Sequence, residues 1–142
     1  MNSSMEIKRF NRHKIHNSTK VKEILLTILN LENEIDRDKE HFWAIGLNSN
    51  NSIIFIELVT LGILNSSLVH PREVFRFAIL KGVAAIIVAH NHPSGNPFPS
   101  PQDKEITEKL VASGKILDIL VLDHVIITAD DHFSFRDENL MN

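Results

Sequence analysis

Two histidines and an aspartate in the middle of the chain have the residue types and the spacing needed to hold a metal ion. His90 and His92 follow the apolar run from Val83 to Ala89. Because side chains alternate along an extended backbone, residues two apart project to the same side, about 6.6 Å apart at roughly 3.3 Å per residue. Two imidazoles placed in this way can converge on one ion, and Asp103 is available as a third ligand.

The loop between the second histidine and the aspartate contains four prolines and one glycine. The prolines exclude a regular helix or a central strand and the glycine allows a sharp turn, so we expect a stiff loop that folds back on itself. Its end predicts a helix start, with Ser100 as N-cap, Pro101 at the first helical position and Asp103 at the third. A residue at a helix start can also face a site, so capping by Ser100 does not exclude a chemical role.

These residues together match a known signature. His90-x-His92, seven residues, Ser100, two residues and Asp103 are identical in spacing to H-x-H-x7-S-x2-D of the JAB/MPN-domain metalloproteases, the JAMM family. The resemblance implies that His90, His92 and Asp103 hold one Zn²⁺ ion. It further implies that Ser100 hydrogen-bonds the water at the open zinc position or the tetrahedral oxyanion.

The similarity extends beyond the signature. About residues 38 to 136 resemble the RadC-like branch of that family. The segments that carry the resemblance run from Leu64-Asn-Ser-Ser-Leu-Val-His-Pro-Arg-Glu-Val to Leu122-Asp-His-Val-Ile-Ile. The family implies a three-layer α/β/α domain with a mixed sheet, whereas the residue pattern alone indicates only the α/β class. The contiguous His-Asn-His tripeptide is not an HNH nuclease motif, because that motif distributes its residues over a ββα unit.

Glu40 is the candidate general base. Hydrolysis of a peptide at a zinc site needs a base that takes a proton from water and passes it to the leaving amine. In the JAMM family this glutamate begins an early strand upstream of the histidines, and Glu40 occupies the matching place. Two other interpretations stay open: Glu40 is an exposed charge at the end of an acidic linker, or Glu57, within an otherwise apolar strand, is the base.

Apolar periodicity predicts the N-terminal elements that support the site. Ser18 is expected to cap a helix that runs through about Asn30. Residues 41–47 and 53–60 have β character, and the polar turn 48–51 joins them into a hairpin.

The following elements alternate between helix and strand. A helix should begin at Pro71 and end near Gly82, with Ile79 on its buried face. Since it precedes the central strand, we expect a parallel βαβ crossover. The helix after Asp103 should run to about Gly114 and be followed by two closing strands, residues 120–128 and 132–135.

Other histidines have no spacing that joins them to the ligand set. The Asp123-His124 pair could support a metal ligand through a hydrogen bond, or could be a structural polar pair at the edge of a sheet. Four histidines are expected at the surface: His13, His16, His41 and His132.

Composition predicts one domain over residues 18–142 after a basic arm at residues 1–17. Residues 1–22 carry six basic side chains against one acid, although the net charge of the 142 residues is −3. Such an arm can bind nucleic-acid phosphates, remain solvated, or cover the domain. The absence of cysteine excludes disulfides, thiolate catalysis and Cys-based zinc sites. Without an apolar secretory segment or a run of ~20 apolar residues, we expect a cytoplasmic protein with no membrane partner.

The leading functional hypothesis is a zinc-dependent metallopeptidase or isopeptidase acting on a peptide or isopeptide substrate. RadC-like proteins carry a DNA-repair name, so a DNA-binding module or metal-dependent nuclease is the first alternative. Residues 1–37 lack the helix-hairpin-helix unit that often precedes the RadC-like pattern, which weakens that alternative. The second alternative is a non-catalytic interaction domain. The pattern leaves the oligomeric state open.

Overall fold

The computed structural model describes residues 5–62, 65 and 67–141. Outside the described residues lie 1–4 of the predicted arm, 63, 64 and 66 of the RadC-like segment, and 142. The described chain contains six strands: β1 Met5–Ile7, β2 His41–Leu47, β3 Ile53–Leu61, β4 Ala85–Asn91, β5 Leu120–Ile127 and β6 His132–Ser134. Its helices are α1 Ser18–Asn30, α2 Glu34–Arg37, α3 Pro71–Val74, α4 Arg76–Lys81 and α5 Pro101–Leu117.

The strands form one mixed sheet in the order β1-β3-β2-β4-β5-β6. Strand β2 lies between β3 and β4 and is antiparallel to both, so β3 and β4 run in the same direction. The predicted parallel crossover before β4 is therefore confirmed. It connects β3 to β4, which are not neighbours, because β2 lies between them. Strands β4 and β5 are parallel neighbours connected by α5, and the predicted hairpin of β2 and β3 is confirmed.

Helices cover both faces of the sheet and produce the predicted three layers. On one face, Leu25 of α1 packs in a cluster with Trp43 and Ile87. On the other face, Phe75 and Ile106 pack against apolar side chains of β2, β3 and β4. None of the helices in the described ranges combines the length and the apolar character needed to cross a bilayer.

The cap of α1 differs from the prediction. Ser18 is the first helical residue, and Asn17 is the N-cap, whose side chain accepts the Lys20 N–H at 3.0 Å. The Ser18 hydroxyl is buried and instead donates to an Asp137 carboxylate oxygen at 2.7 Å. Both residues are good N-caps, so tertiary contact rather than local preference decides which of them caps the helix.

The predicted single helix from Pro71 to Gly82 is wrong. Helices α3 and α4 meet at Phe75, whose φ of −92° and ψ of −3° interrupt the helical repeat. Phe75 itself is buried, and after the interruption Ile79 is 58% exposed, contrary to its predicted burial. The helix end at Gly82 is confirmed, because this residue has a φ of 70° and forms a left-handed C-cap.

Helix α5 continues past its predicted end at Gly114 to Leu117. A Cβ atom on Gly114 would lie 2.4 Å from the Ile119 carbonyl oxygen, so glycine allows close packing there. The helix ends at Asp118, which has a left-handed φ of 60°. Glycine at position 114 is therefore a packing requirement and not a helix stop.

Part of the basic N-terminal segment covers the sheet. Strand β1 pairs with the β3 edge, Lys14 forms a bridge to Ser52, and Ile15 is buried. Four basic side chains of this segment remain exposed: Lys8, Arg9, Arg12 and Lys14.

Candidate metal centre

The two histidines and the aspartate predicted as ligands converge where β4 ends and α5 begins. His90 Nε2 lies 3.0 Å from His92 Nε2. Asp103 presents one carboxylate oxygen to each imidazole, at 3.1 Å from His90 Nε2 and 3.1 Å from His92 Nε2. Within the described ranges, this is the one group of acidic and histidine side chains arranged to share an ion.

A capping box at the start of α5 orients the aspartate. The Ser100 hydroxyl oxygen accepts the Asp103 N–H at 3.1 Å, and the Asp103 carboxylate accepts the Ser100 N–H at 2.8 Å. The predicted roles of Ser100 as N-cap and Pro101 at the first helical position are confirmed. The helix N-terminus also favours the carboxylate anion, because its free N–H groups carry partial positive charge.

The loop after β4 folds back and fixes the second imidazole. Gly95 adopts a φ of 90°, and its N–H donates to the His92 carbonyl at 3.1 Å. His92 Nδ1 lies 2.7 Å from the Asn96 carbonyl oxygen. A carbonyl can only accept, so the Nδ1 atom carries a hydrogen, and in the neutral ring the lone pair is on Nε2, facing Asp103.

The first imidazole is enclosed by aromatic rings. His90 is 0% exposed and is stacked on Phe42 with ring centroids 6.1 Å apart. Its Nδ1 atom lies 2.8 Å from His124 Nε2. His124, also 0% exposed, is stacked on Phe135 with centroids 4.8 Å apart.

The Asp123-His124 pair is divided between two tasks. His124 supports His90, which is one of the two roles left open by the sequence. Asp123 faces away and accepts the Ser134 hydroxyl at 2.6 Å and the Arg136 N–H at 3.0 Å, which ties β5 to the C-terminal turn. Alternation along β5 explains the division, because adjacent residues face opposite sides of the sheet.

Thr107 contacts the far side of His124 and was not identified from the sequence. Its hydroxyl oxygen lies 2.6 Å from His124 Nδ1 and is buried. A signal was present, since Thr107 follows Asp103 by four residues and therefore shares its helix face.

Burial and the carboxylate shift the pKa values in opposite directions. Burial lowers the pKa of His90 and holds that of His124 well below its ordinary value. Burial opposes protonation of His92 too, but hydrogen bonding to Asp103 and to the Asn96 carbonyl raises the pKa of His92 overall. For Asp103, burial acts against ionisation, but contact with His90 and His92 outweighs it and lowers the pKa.

The facing atoms, two imidazole nitrogens and the two oxygens of one carboxylate, fit a divalent metal. Lone pairs on two imidazole nitrogens and a carboxylate repel one another at 3.0–3.1 Å unless a proton or a metal ion lies among them. A tetrahedral ion with bonds of about 2.0–2.1 Å holds its ligand atoms roughly 3.3 Å apart. The two nitrogens are 3.0 Å apart, and each is 3.1 Å from its nearer carboxylate oxygen, so small shifts would admit the ion. Nitrogen and carboxylate ligands suit zinc among other divalent ions.

An open cavity of about 1210 Å³ borders this cluster. Glu40, His92, Ser100 and Asp103 all line it, so the structure brings four of the five predicted site residues to one surface. The fifth residue, His90, is fully buried and does not line the cavity. The exposed ring of Phe98 adds an apolar wall.

Asn91 connects the cavity's glutamate to the sheet. Its side-chain oxygen accepts the His41 N–H at 2.6 Å, and its side-chain amide donates to the Lys39 carbonyl at 3.0 Å. Both residues that flank Glu40 are thereby tied to β4. No pattern in the sequence indicates this role for Asn91, because the two histidines that flank it project to the other face of the strand and its backbone partners lie at and just before the start of a different strand, β2.

Glu57 does not reach the cavity. It is 0% exposed and accepts a hydrogen bond from Arg76 at 3.2 Å. In the sheet, Glu57 pairs with Ala44, which pairs with Val88 on β4. Ladder spacing therefore separates the backbones of Glu57 and His90 by about 12 Å.

The surface prediction for histidines is correct for His13 and His16 and wrong for His41. His41 is 1% exposed because it begins a central strand, and its imidazole contacts Glu32 and stacks on Trp43. His132 is partly buried, and its Nε2 lies 3.0 Å from the Ser18 hydroxyl.

A three-layer domain with a mixed sheet, carrying a His-His-Asp cluster at the rim of a cavity, defines the JAB class of α/β domain. Within that class the chain belongs to the RadC-like JAB domain family, whose model matches residues 12–140. The resemblance inferred from the signature is confirmed.

Relatives share about half of their residues with this chain in the aligned region. A UPF0758 protein of Desulforudis audaxviator is 52% identical over 103 residues, which cover 72% of this chain and 45% of that protein. A UPF0758 protein of Chlorobaculum parvum is 51% identical over 106 residues, covering 75% of this chain and 48% of the relative. The chain thus spans about half the length of the curated relatives it matches.

Proposed function

We propose that this domain is a metal-dependent hydrolase of amide or isopeptide bonds, with zinc as the metal. The observation that carries the proposal is the convergence of His90, His92 and Asp103 at a cavity that Glu40 and Ser100 also line. Membership of the JAB class supports it, because the resemblance to JAMM metalloproteases assigns these five residues to one reaction.

The proposed mechanism divides the work among these side chains. His90, His92 and Asp103 would hold the ion. When bound, a divalent metal supplies Lewis-acid polarisation of a carbonyl and lowers the pKa of water. Glu40 takes the proton from the attacking water and then delivers it to the leaving nitrogen.

Ser100 would stabilise the developing negative charge on the carbonyl oxygen. Its hydroxyl oxygen accepts the Asp103 N–H, but accepting that bond does not use the hydroxyl hydrogen. The hydrogen can therefore be donated into the cavity. A single donor of this kind typically contributes a factor of ~10²–10³ in rate.

Metal content and turnover of defined peptides test the proposal. Protein purified without chelator or nickel should contain near-stoichiometric zinc by elemental mass spectrometry, and His92→Ala and Asp103→Ala should lose it. Probes are a pool of linear peptides and a branched peptide with a glycyl group on the lysine ε-nitrogen. Glu40→Gln should keep the metal and lose ~10²–10⁴-fold in rate.

A matched acidic control separates chemistry from general loss of charge. Glu23 is exposed on α1 and does not line the cavity, so Glu23→Gln should retain both metal and activity. Wild-type protein that takes up no zinc, even after reconstitution, would overturn the proposal and favour a non-catalytic interaction domain.

The exposed basic segment favours nucleic acid as a second candidate ligand. The Arg12 backbone N–H donates to the carbonyl of Ile53, the first residue of β3, and Lys14 forms a bridge to Ser52, the residue before it. This is the opposite end of the sheet from the cavity, about 20 Å away along the seven residues of β2. A phosphate backbone held there lies far from the metal cluster, which supports a binding role over a nuclease.

Charge removal at this segment tests the second candidate. Binding of labelled duplex DNA should weaken with salt and be lost when Lys8, Arg9, Arg12 and Lys14 are replaced together by alanine. Absence of binding even at low salt would exclude it.

A further inference from the structure

We propose that Thr107, acting through His124, positions His90 for metal binding by selecting its tautomer. Thr107 and His124 would be positioning residues, since neither contributes an atom to the facing group of His90, His92 and Asp103. The inference rests on the proposed metal centre and assigns its orientation to a buried polar chain that runs from α5 through β5 to β4.

The chain consists of three contacts. Thr107 Oγ1 lies 3.0 Å from the Asp103 carbonyl oxygen and 2.6 Å from His124 Nδ1. His124 Nε2 lies 2.8 Å from His90 Nδ1. With the residues neutral, Thr107, His124 and His90 each contribute one polar hydrogen, so three hydrogens serve three contacts.

One arrangement places a hydrogen in each contact. The Asp103 carbonyl can only accept, so the Thr107 hydroxyl donates to it. Having used its one hydrogen, the hydroxyl must accept from His124 Nδ1–H. His124 Nε2 then carries no hydrogen and accepts a hydrogen bond from His90 Nδ1–H. The lone pair of the neutral His90 ring is therefore on Nε2.

The selected tautomer is the one that can bind a metal. His90 Nε2 is the atom that faces Asp103 and His92. A hydrogen on this atom would occupy the space of the ion and block coordination. The direction of all three hydrogen bonds thus determines whether the cluster can be loaded.

The surroundings of the chain give it few alternatives. Thr107, His124 and His90 are all buried, so bulk water is not available to replace a lost partner. Stacking of His90 on Phe42 and of His124 on Phe135 restricts rotation of both rings. Loss of the threonine hydroxyl would leave His124 Nδ1–H without its acceptor and favour the tautomer with hydrogen on Nε2.

That change would propagate to the ligand. A hydrogen on His124 Nε2 donates to His90 Nδ1 and forces the hydrogen of neutral His90 onto Nε2. The effect of Thr107 on metal binding would therefore pass through two hydrogen bonds.

The tautomers of metal-free protein provide a readout that is independent of catalysis. Histidine labelled with ¹⁵N distinguishes Nδ1–H from Nε2–H rings by NMR. We expect His90 and His124 to be Nδ1–H in the wild type and in Thr107→Ser, which keeps the hydroxyl. The hydrogen that separates the facing lone pairs in metal-free protein is then carried by His92 Nε2, which lies 3.0 Å from His90 Nε2 and 3.1 Å from Asp103. In Thr107→Val, which has nearly the same shape, His90 should shift toward Nε2–H.

Thr27→Val is the matched control. The Thr27 hydroxyl donates to the carbonyl four residues earlier, as that of Thr107 does, but Thr27 is exposed on α1. This variant should leave both tautomers unchanged. An Nε2–H form of His90 in the wild type, or unaltered His90 signals in Thr107→Val, would overturn the inference.

Zn²⁺ affinity completes the test. Loss of a partner that orients a ligating histidine typically costs 10–100-fold in metal affinity, so Thr107→Val should bind Zn²⁺ that much more weakly and Thr107→Ser within a few-fold of the wild type. Equal affinity in Thr107→Val and the wild type would overturn the inference. Failure of the wild type to bind Zn²⁺ would overturn the proposed function, while the spectra of metal-free protein would still decide the role of Thr107.

Discussion

Asn91 is hydrogen-bonded to the backbone on both sides of Glu40. Its side chain receives the N–H of the following residue at 2.6 Å and donates to the carbonyl of the preceding residue at 3.0 Å. The amide thus fixes the peptide units that carry the proposed general base, although the two residues are 51 positions apart in the sequence. Because β2 and β4 are neighbours, a residue adjacent to both histidines can hold the glutamate beside them.

Asn91→Ala should reduce turnover while leaving metal content near the wild-type level. Displacement of a catalytic group by about 1 Å can cost ~10²-fold in rate, and we expect a loss of roughly that size. The buried His41 N–H would lose its partner, which should lower the free energy of unfolding by about 1–3 kcal/mol in urea titrations.

Asn48→Ala provides the control for this variant. The Asn48 side chain also accepts backbone N–H groups, from Asn50 and Ser52, but it lies in the turn at the opposite end of β2. It should lower stability without changing turnover. Equal turnover in Asn91→Ala and Asn48→Ala at matched folded fraction would contradict the positioning of Glu40 by Asn91.

Ser100→Gly should separate helix capping from chemistry. Glycine at an N-cap costs only a few tenths of a kcal/mol, so the unfolding free energy should change little. Removal of the hydroxyl should lower the turnover rate by ~10²–10³-fold if it stabilises the oxyanion. Wild-type turnover in this variant would restrict Ser100 to its capping role.

The stability of metal-free protein should fall as the pH drops below about 6.5, the usual pKa of histidine. Burial holds the pKa of His124 well below that value, so the unfolded chain binds a proton that the folded protein excludes. The titration of His124 therefore leaves the free energy of unfolding unchanged above pH 6.5 and lowers it below that pH, with a slope that approaches one proton. Urea unfolding as a function of pH should show a smaller slope in His124→Gln; identical slopes would contradict the prediction.

Metal affinity should decrease in acid. Burial opposes protonation of His92, but Asp103 and the Asn96 carbonyl together raise the pKa of His92, so a proton competes with the metal for Nε2 below that raised value. Each displaced proton weakens binding by up to about tenfold per pH unit. Co²⁺ or Zn²⁺ titrations between neutral and mildly acidic pH measure this slope, and an affinity independent of pH would contradict competition at His92.

Local features of the sequence were sufficient to predict the three facing side chains and the start of α5. Alternation along a strand places His90 and His92 on one side, and the capping box requires only residues that are three apart. The signature then identified the family, and five of the six strands and the α/β class followed from apolar patterning, whereas β1 was not predicted. Each of these properties depends on neighbours within a few residues.

Tertiary structure alone decided which distant residues support the cluster. Glu40 lines the cavity and Glu57 does not because β2 lies between β3 and β4, and the burial of His41 depends on the same strand order. The contact of Thr107 with His124 requires α5 to pack on β5. Strand order, register and helix packing arise from the balance of burial over the whole chain, so no local pattern of residues encodes them.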